Sequence, residues 1–152
     1  MKIKGKVFTG TLRGQSLVDI YFFRLVNVLG FEPFKGTMDI KMEEAVDVKL
    51  YATKKIETVL LDGSSRIDAY LAPIILSVGD QDYECWAIRQ LKPIHGEDSL
   101  EIIAKDNLRE KFSLNDGDEV EITFFEQVKK KKNIPGLGIV KKIYGIESQI
   151  KR

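Results

Sequence analysis

Residues 16–42, SLVDIYFFRLVNVLGFEPFKGTMDIKM, change period halfway along, and that change points to the fold class. In the first half Phe22, Leu25, Val26 and Leu29 recur at i, i+3, i+4, i+7, with Val18 one turn earlier. That is the one-sided pattern of an amphipathic helix. Ser16 is placed to cap it, with Asp19 three residues on as a capping-box partner. Gly30 is placed to end it. Pro33 takes residues 31–35 out of the helix into a turn or extended link. From Gly36 the period falls to two. Met38, Ile40 and Met42 share one face and Thr37, Asp39 and Lys41 the other, as in a half-buried strand.

The same alternation recurs on both sides. Residues 2–8 set Lys2, Lys4 and Lys6 against Ile3 and Val7. Gly10 to Gln15 is a loop with two glycines and Arg13. Residues 54–61 and 66–78 read as two strands around Asp62-Gly63-Ser64-Ser65, a hairpin signal. Pro73 either breaks the second of these or puts it on a sheet edge. Gly79-Asp80-Gln81-Asp82 is a turn before a strand over YECWAIRQL, 83–91. Residues 99–104 are a short strand, and Asp106 is placed to cap a short helix through Phe112. Asn115-Asp116-Gly117-Asp118 is a turn before the alternating strand 119–124. Six or more short strands with tight turns, one helix after the first strand and a short helix near 106–112 predict a mainly β protein closed into a small barrel.

At 152 residues, with 43% hydrophobic and 31% charged side chains, the composition is that of a globular domain rather than a disordered chain. We expect one domain over residues 1–127 and a basic C-terminal extension, 128–152, that is not a separate domain. Residues 127–152 hold eight Lys/Arg against one Glu, so with a net charge of +1 the remainder carries −6. A basic tail on an acidic body is not a basic binding face, and Lys129–Lys132 read as a solvated run, so nucleic acid is not an expected partner. Cys85 is the single cysteine, which excludes an internal disulfide, and its apolar setting predicts an inert thiol. His95 is the single histidine, so a multi-histidine zinc site within one chain is excluded. No apolar run approaches the roughly 20 residues needed to span a bilayer, and MKIKGKVF lacks a signal-peptide core. A cytoplasmic protein with no membrane partner is expected.

Chemistry concentrates in LGFEPFKGTMDI, residues 29–40. A hydroxyl and a carboxylate, Thr37 and Asp39, fall on one strand face directly after a glycine. Two hard oxygens at i and i+2 suit Mg²⁺, which takes one or two protein ligands beside phosphates and water. Trp86, on an alternating strand, reads as a core residue rather than a stacking platform.

LGFEPFKGTMDI resembles the signature of the archaeal CTP-dependent riboflavin kinase family, a Leu-Gly-Phe turn leading to Pro and then Gly-Thr-Leu-Asn. A second block, LEIIAKDNLREKFSLNDGDEVEI, is similar to the family's Glu-Ile-Ile-Ala, Leu-Arg-Glu and Leu-x-Asp-Gly-Asp segment. GKVFTGTLRGQ stands where the family has its glycine-rich first loop. The order is kept through residues 5–124. The resemblance implies a six-stranded cradle-loop (RIFT-like) barrel, and an activity that passes the terminal phosphoryl of CTP to riboflavin, giving FMN and CDP. It implies Thr37 and Asp39 as Mg²⁺ ligands. Gly10, Thr11, Leu12, Arg13, Gly14 and Gln15 match the loop around the phosphates. Asp106, Asn107, Leu108 and Arg109 match the segment holding the nucleotide's other end. Glu101 matches a flavin-side carboxylate that would orient the ribityl hydroxyl or take its proton. The loop keeps two glycines where the family usually has three, Asp39 replaces the usual Asn, and Pro93 replaces a flavin-contacting Thr. The alternative is a non-catalytic nucleotide- or nucleic-acid-binding paralogue with the same barrel.

Overall fold

The computed structural model describes residues 1–10, 14–59, 66–90 and 96–127. Among these residues seven strands form one antiparallel sheet: β1 (Lys2–Phe8), β2 (Met38–Met42), β3 (Lys54–Val59), β4 (Arg66–Val78), β5 (Gln81–Gln90), β6 (Ser99–Ile103) and β7 (Glu119–Phe124). Helix α1 (Gly14–Leu29) follows β1, α2 (Leu108–Phe112) follows β6, and Val48–Tyr51 is a 3-10 turn the sequence reading passed over. The strand order is β3-β4-β5-β6-β2-β1-β7, and β7 also pairs with β4. Six strands thus pair around a closed ring, and β3 is a seventh, paired with β4. No helix among the described residues is long and apolar enough to cross a membrane. The hairpin turn at 62–65 and the extension 128–152 lie outside the described residues.

The period-two reading holds along β1, where Ile3, Gly5 and Val7 are buried and the lysines exposed. β4 and β5 are different because both their faces are covered. Ala72, Ile74, Leu76, Cys85 and Ala87 enter the larger core inside the ring. Ala69, Leu71 and Ile88 pack outward against Val18, Tyr21 and Leu25 of α1. A strand covered twice reads as a continuous apolar run, which accounts for CWAI, 85–88. Each fully buried α1 side chain contributes roughly 1.5–3 kcal/mol of apolar burial.

Local details differ from the sequence reading, each for a stated reason. α1 begins at Gly14, so Ser16 lies in its first turn and is not the cap. Its buried stripe passes through Tyr21 rather than Phe22, with the Tyr21 hydroxyl bonded to the Gln90 side chain. Gly30, at φ 81°, does end the helix, its N–H bonded to the Val26 carbonyl at 2.8 Å. The cap of α2 is Asn107, which accepts the Glu110 N–H at 3.3 Å, and not Asp106. Pro73 neither breaks β4 nor marks a free edge. Leu71 turns its carbonyl toward the β3 side, accepting the Thr53 N–H at 2.9 Å. Two residues on, Pro73 faces the same side, where β3 has ended at Lys54↔Leu71 and β7 begins at Ile74↔Phe124. Its missing N–H falls in the gap between partners.

Candidate functional site

The site is built first by strand register. With Met38, Ile40 and Met42 buried in the core, Asp39 must face the other way. The β2–β6 register sets Asp39 opposite Glu101, and the β1–β2 register sets it opposite Phe8. Thr37, just before β2, donates its hydroxyl to Glu101 Oε1 at 3.0 Å. The Gly10 N–H, at the mouth of the loop after β1, donates to Asp39 Oδ2 at 3.1 Å. Thr37, Asp39 and Glu101 are therefore three oxygen-bearing side chains on one half-buried face. Two carboxylates directly opposite on a sheet repel, and a cation between them offsets that repulsion. Among the described residues no group of three or more His, Cys, Asp or Glu is placed to hold a metal. Mg²⁺ needs no such group, because phosphate and water complete its shell. The donor set fits it.

The second part is a cleft of about 190 Å³, with Thr37 on one wall and residues 106–109 on the other. The two sequence blocks singled out separately thus line one cavity. The link between α1 and β2 is fastened to the end of β6 by the Phe34 N–H, bonded to the Ala104 carbonyl at 2.8 Å, and Pro33 is buried. Gly14 and Gln15 form the opening of α1, whose first turn carries no acidic side chain. A helix N-terminus so placed favours anions. Thr11, Leu12 and Arg13 lie outside the described residues, as do Pro93, His95 and Lys129–Lys132.

Side chains on the 106–109 wall have specific engagements. Asp106 accepts the Tyr83 hydroxyl at 2.7 Å and lies 3.9 Å from Lys111 Nζ. Burial pushes the Tyr83 hydroxyl up to about 12, with the hydrogen bond and charge of Asp106 adding to it. Arg109 donates to the Phe8 carbonyl at 3.0 Å and to Asp116 Oδ1 at 2.7 Å. Its hydrogen bond, then that of Thr9, holds the Asp116 carboxyl below the usual carboxylate range. Tyr83, Thr9 and Asp116 were missed from sequence. Asn115–Asp118 gave a turn signal only, and contacts spanning 107 residues leave no local pattern.

A larger cavity of about 600 Å³, lined by Phe31, Tyr83, Trp86 and Phe125 among others, contains none of the expected site residues. Trp86 packs on the apolar cluster beneath α1. Burial pushes the Cys85 thiol up to about 12, in keeping with an inert core cysteine.

Comparison with known proteins adds an independent line. The family model for CTP-dependent riboflavin kinase, described as a domain of unknown function, DUF120, matches residues 7–124. The chain is 30% identical over 125 residues to a riboflavin kinase of Methanococcus vannielii, covering 80% of this chain and 96% of the relative. It is 30% identical over 128 residues to a riboflavin kinase of Staphylothermus marinus, covering 84% and 94%. A riboflavin kinase of Pyrobaculum islandicum is 28% identical over 128 residues, covering 82% of this chain and 61% of the relative.

Proposed function

The chain belongs to the CTP-dependent riboflavin kinase family, and we propose that it transfers the terminal phosphoryl group of CTP to the 5′-hydroxyl of riboflavin, giving FMN and CDP. The observation carrying this reading is the meeting of Thr37 with residues 106–109 across one cleft, next to the Asp39–Glu101 pair. We read the closed strand ring as the six-stranded cradle-loop barrel of that family, with β3 added to it.

Phosphoryl transfer asks a protein mainly to position two substrates and to offset charge. Asp106, Asn107, Leu108 and Arg109 take the nucleoside end of CTP. The Gly10–Gln15 loop and the N-terminus of α1 take its phosphates through main-chain N–H groups. Thr37 and Asp39 would hold Mg²⁺, which would supply positive charge to the phosphate oxygens. The Thr37 hydroxyl, already bonded to Glu101, fixes that carboxylate, and Glu101 orients the riboflavin hydroxyl and accepts its proton. The substrates are small molecules.

The test is direct. The protein is incubated with riboflavin, Mg²⁺ and each of the four ribonucleoside triphosphates in turn, and FMN is followed by chromatography. FMN is expected with CTP, and chelation with EDTA is expected to stop it until Mg²⁺ is restored. A folded protein that forms no FMN with CTP overturns the reading.

A further inference from the structure

Arg109 is on the wall assigned to the nucleotide, yet its guanidinium is turned toward the end of β1. Nη2 donates to the Phe8 carbonyl and to Asp116, and lies 3.4 Å from Thr9 Oγ1. Asp116 also accepts the Thr9 hydroxyl, at 2.8 Å to Oδ2. One carboxylate thus joins the residue before Gly10 to the start of α2. The turn carrying Asp116 does not need that side chain to stay in place. It is pinned to β1 by the Gly117 N–H on the Val7 carbonyl (2.7 Å) and the Val7 N–H on the Asp118 carbonyl (2.9 Å). The Asn115 N–H closes the turn on Asp118 Oδ2 at 2.7 Å, and Gly117 supplies its φ of 93°. The Arg109–Asp116 pair is itself half-exposed, its side chains 34% and 55% in solvent, where ion pairs contribute little to stability. Fold maintenance therefore leaves this contact unexplained.

We propose that Asp116 is a positioning residue for nucleotide binding: through Thr9 and Arg109 it sets the separation between Gly10, the residue after Thr9, and residues 106–109. This rests on the function proposed above, in which those two segments hold opposite ends of CTP. A preset separation lowers the ordering that binding must otherwise impose. Loss of the clamp acts on nucleotide affinity and leaves riboflavin untouched.

The experiment compares wild type with Asp116→Ala, Thr9→Val and Thr9→Ser in steady-state kinetics and CDP titrations. Asp116→Ala is expected to raise the CTP KM and CDP Kd about tenfold, as for loss of a charge-assisted hydrogen bond. The riboflavin KM, the kcat at saturating CTP and the melting temperature are expected to hold. Thr9→Val, which spares the ion pair, is expected to raise CTP KM by less, and Thr9→Ser, which keeps the hydroxyl, to match wild type. Glu119→Gln, which breaks the exposed Lys4–Glu119 pair, is the control for charge loss between strands and is expected to change nothing. An unchanged CTP KM in Asp116→Ala, or losses shared equally by both substrates and the melting temperature, overturns the positioning role. Wild-type protein that makes no FMN and binds no CDP instead overturns the proposed function, and the inference falls with it.

Discussion

The two walls of the site are held by different forces. Asp39 and Glu101 ride on neighbouring strands whose main-chain ladders fix their register, with buried residues alternating beneath them and Thr37 just before the first strand. Residues 106–109 lead into a five-residue helix anchored in the core by Leu108 alone among the four, and its polar members are tied by side chains, Tyr83 to Asp106 and Arg109 to Asp116. A ladder offers no continuous adjustment, since a one-residue slip turns every side chain to the other face. Side-chain ties weigh less and yield more. Under the proposed function, the wall assigned to the reacting groups is thus the rigid one, and the wall assigned to the nucleoside is the adjustable one.

The sharpest way to break that contrast is at Asp39. Asp39→Ala is expected to lower kcat by at least about a hundredfold, as for removal of a charge-stabilising group at the reacting centre. Far-ultraviolet circular dichroism and the melting temperature are expected to match wild type, because the side chain points away from the core. Near-normal turnover in the variant removes Asp39 from the site and with it the assignment of the rigid wall.

A second change strikes the ladder and not the chemistry. Gly5 in β1 lies against β2, and a Cβ there would sit 2.5 Å from Ile40 Cγ2 and 2.8 Å from the Lys41 carbonyl oxygen. Neither neighbour is a flexible chain end, so the strands must part. Gly5→Ala is expected to cost about 1–3 kcal/mol of stability by overpacking. Urea denaturation reads it directly. A variant as stable as wild type shows that β1 and β2 part freely, and the wall is then not rigid.

The same contrast explains what could be read from sequence. β1, β4 and β7 fall where their patterns predicted them, and Thr37 and Asp39 were exposed as candidates by a period of two. A ladder writes itself into every second residue. The errors fall where a single side chain decides. Asp106 and Asn107 are both capable caps, and Asn107 takes the role while Asp106 is held by Tyr83. Pro73 looked like a break because its neighbour across the gap, Phe124, lies far along the chain. Asp116 looked like a turn residue because its partner Thr9 lies 107 positions away.

The smallest expected effect tests the adjustable wall alone. Tyr83→Phe removes one hydroxyl and leaves Lys111 beside Asp106. Loss of one such hydrogen bond is expected to raise the CTP KM about threefold and leave kcat unchanged. The pH dependence of stability reads the state of this hydroxyl. The Tyr83 hydroxyl is pushed up to about 12 from its ordinary 10.0, first by burial and then by Asp106. In that window the unfolded chain has released the proton while the folded chain still holds it. Stability linked to the buried, Asp106-bonded hydroxyl is therefore complete below pH 10 and falls as pH rises toward 12. Chemical denaturation of wild type and Tyr83→Phe across that range is expected to give a shallower alkaline decline in the variant. Parallel declines mean that Tyr83 does not hold Asp106.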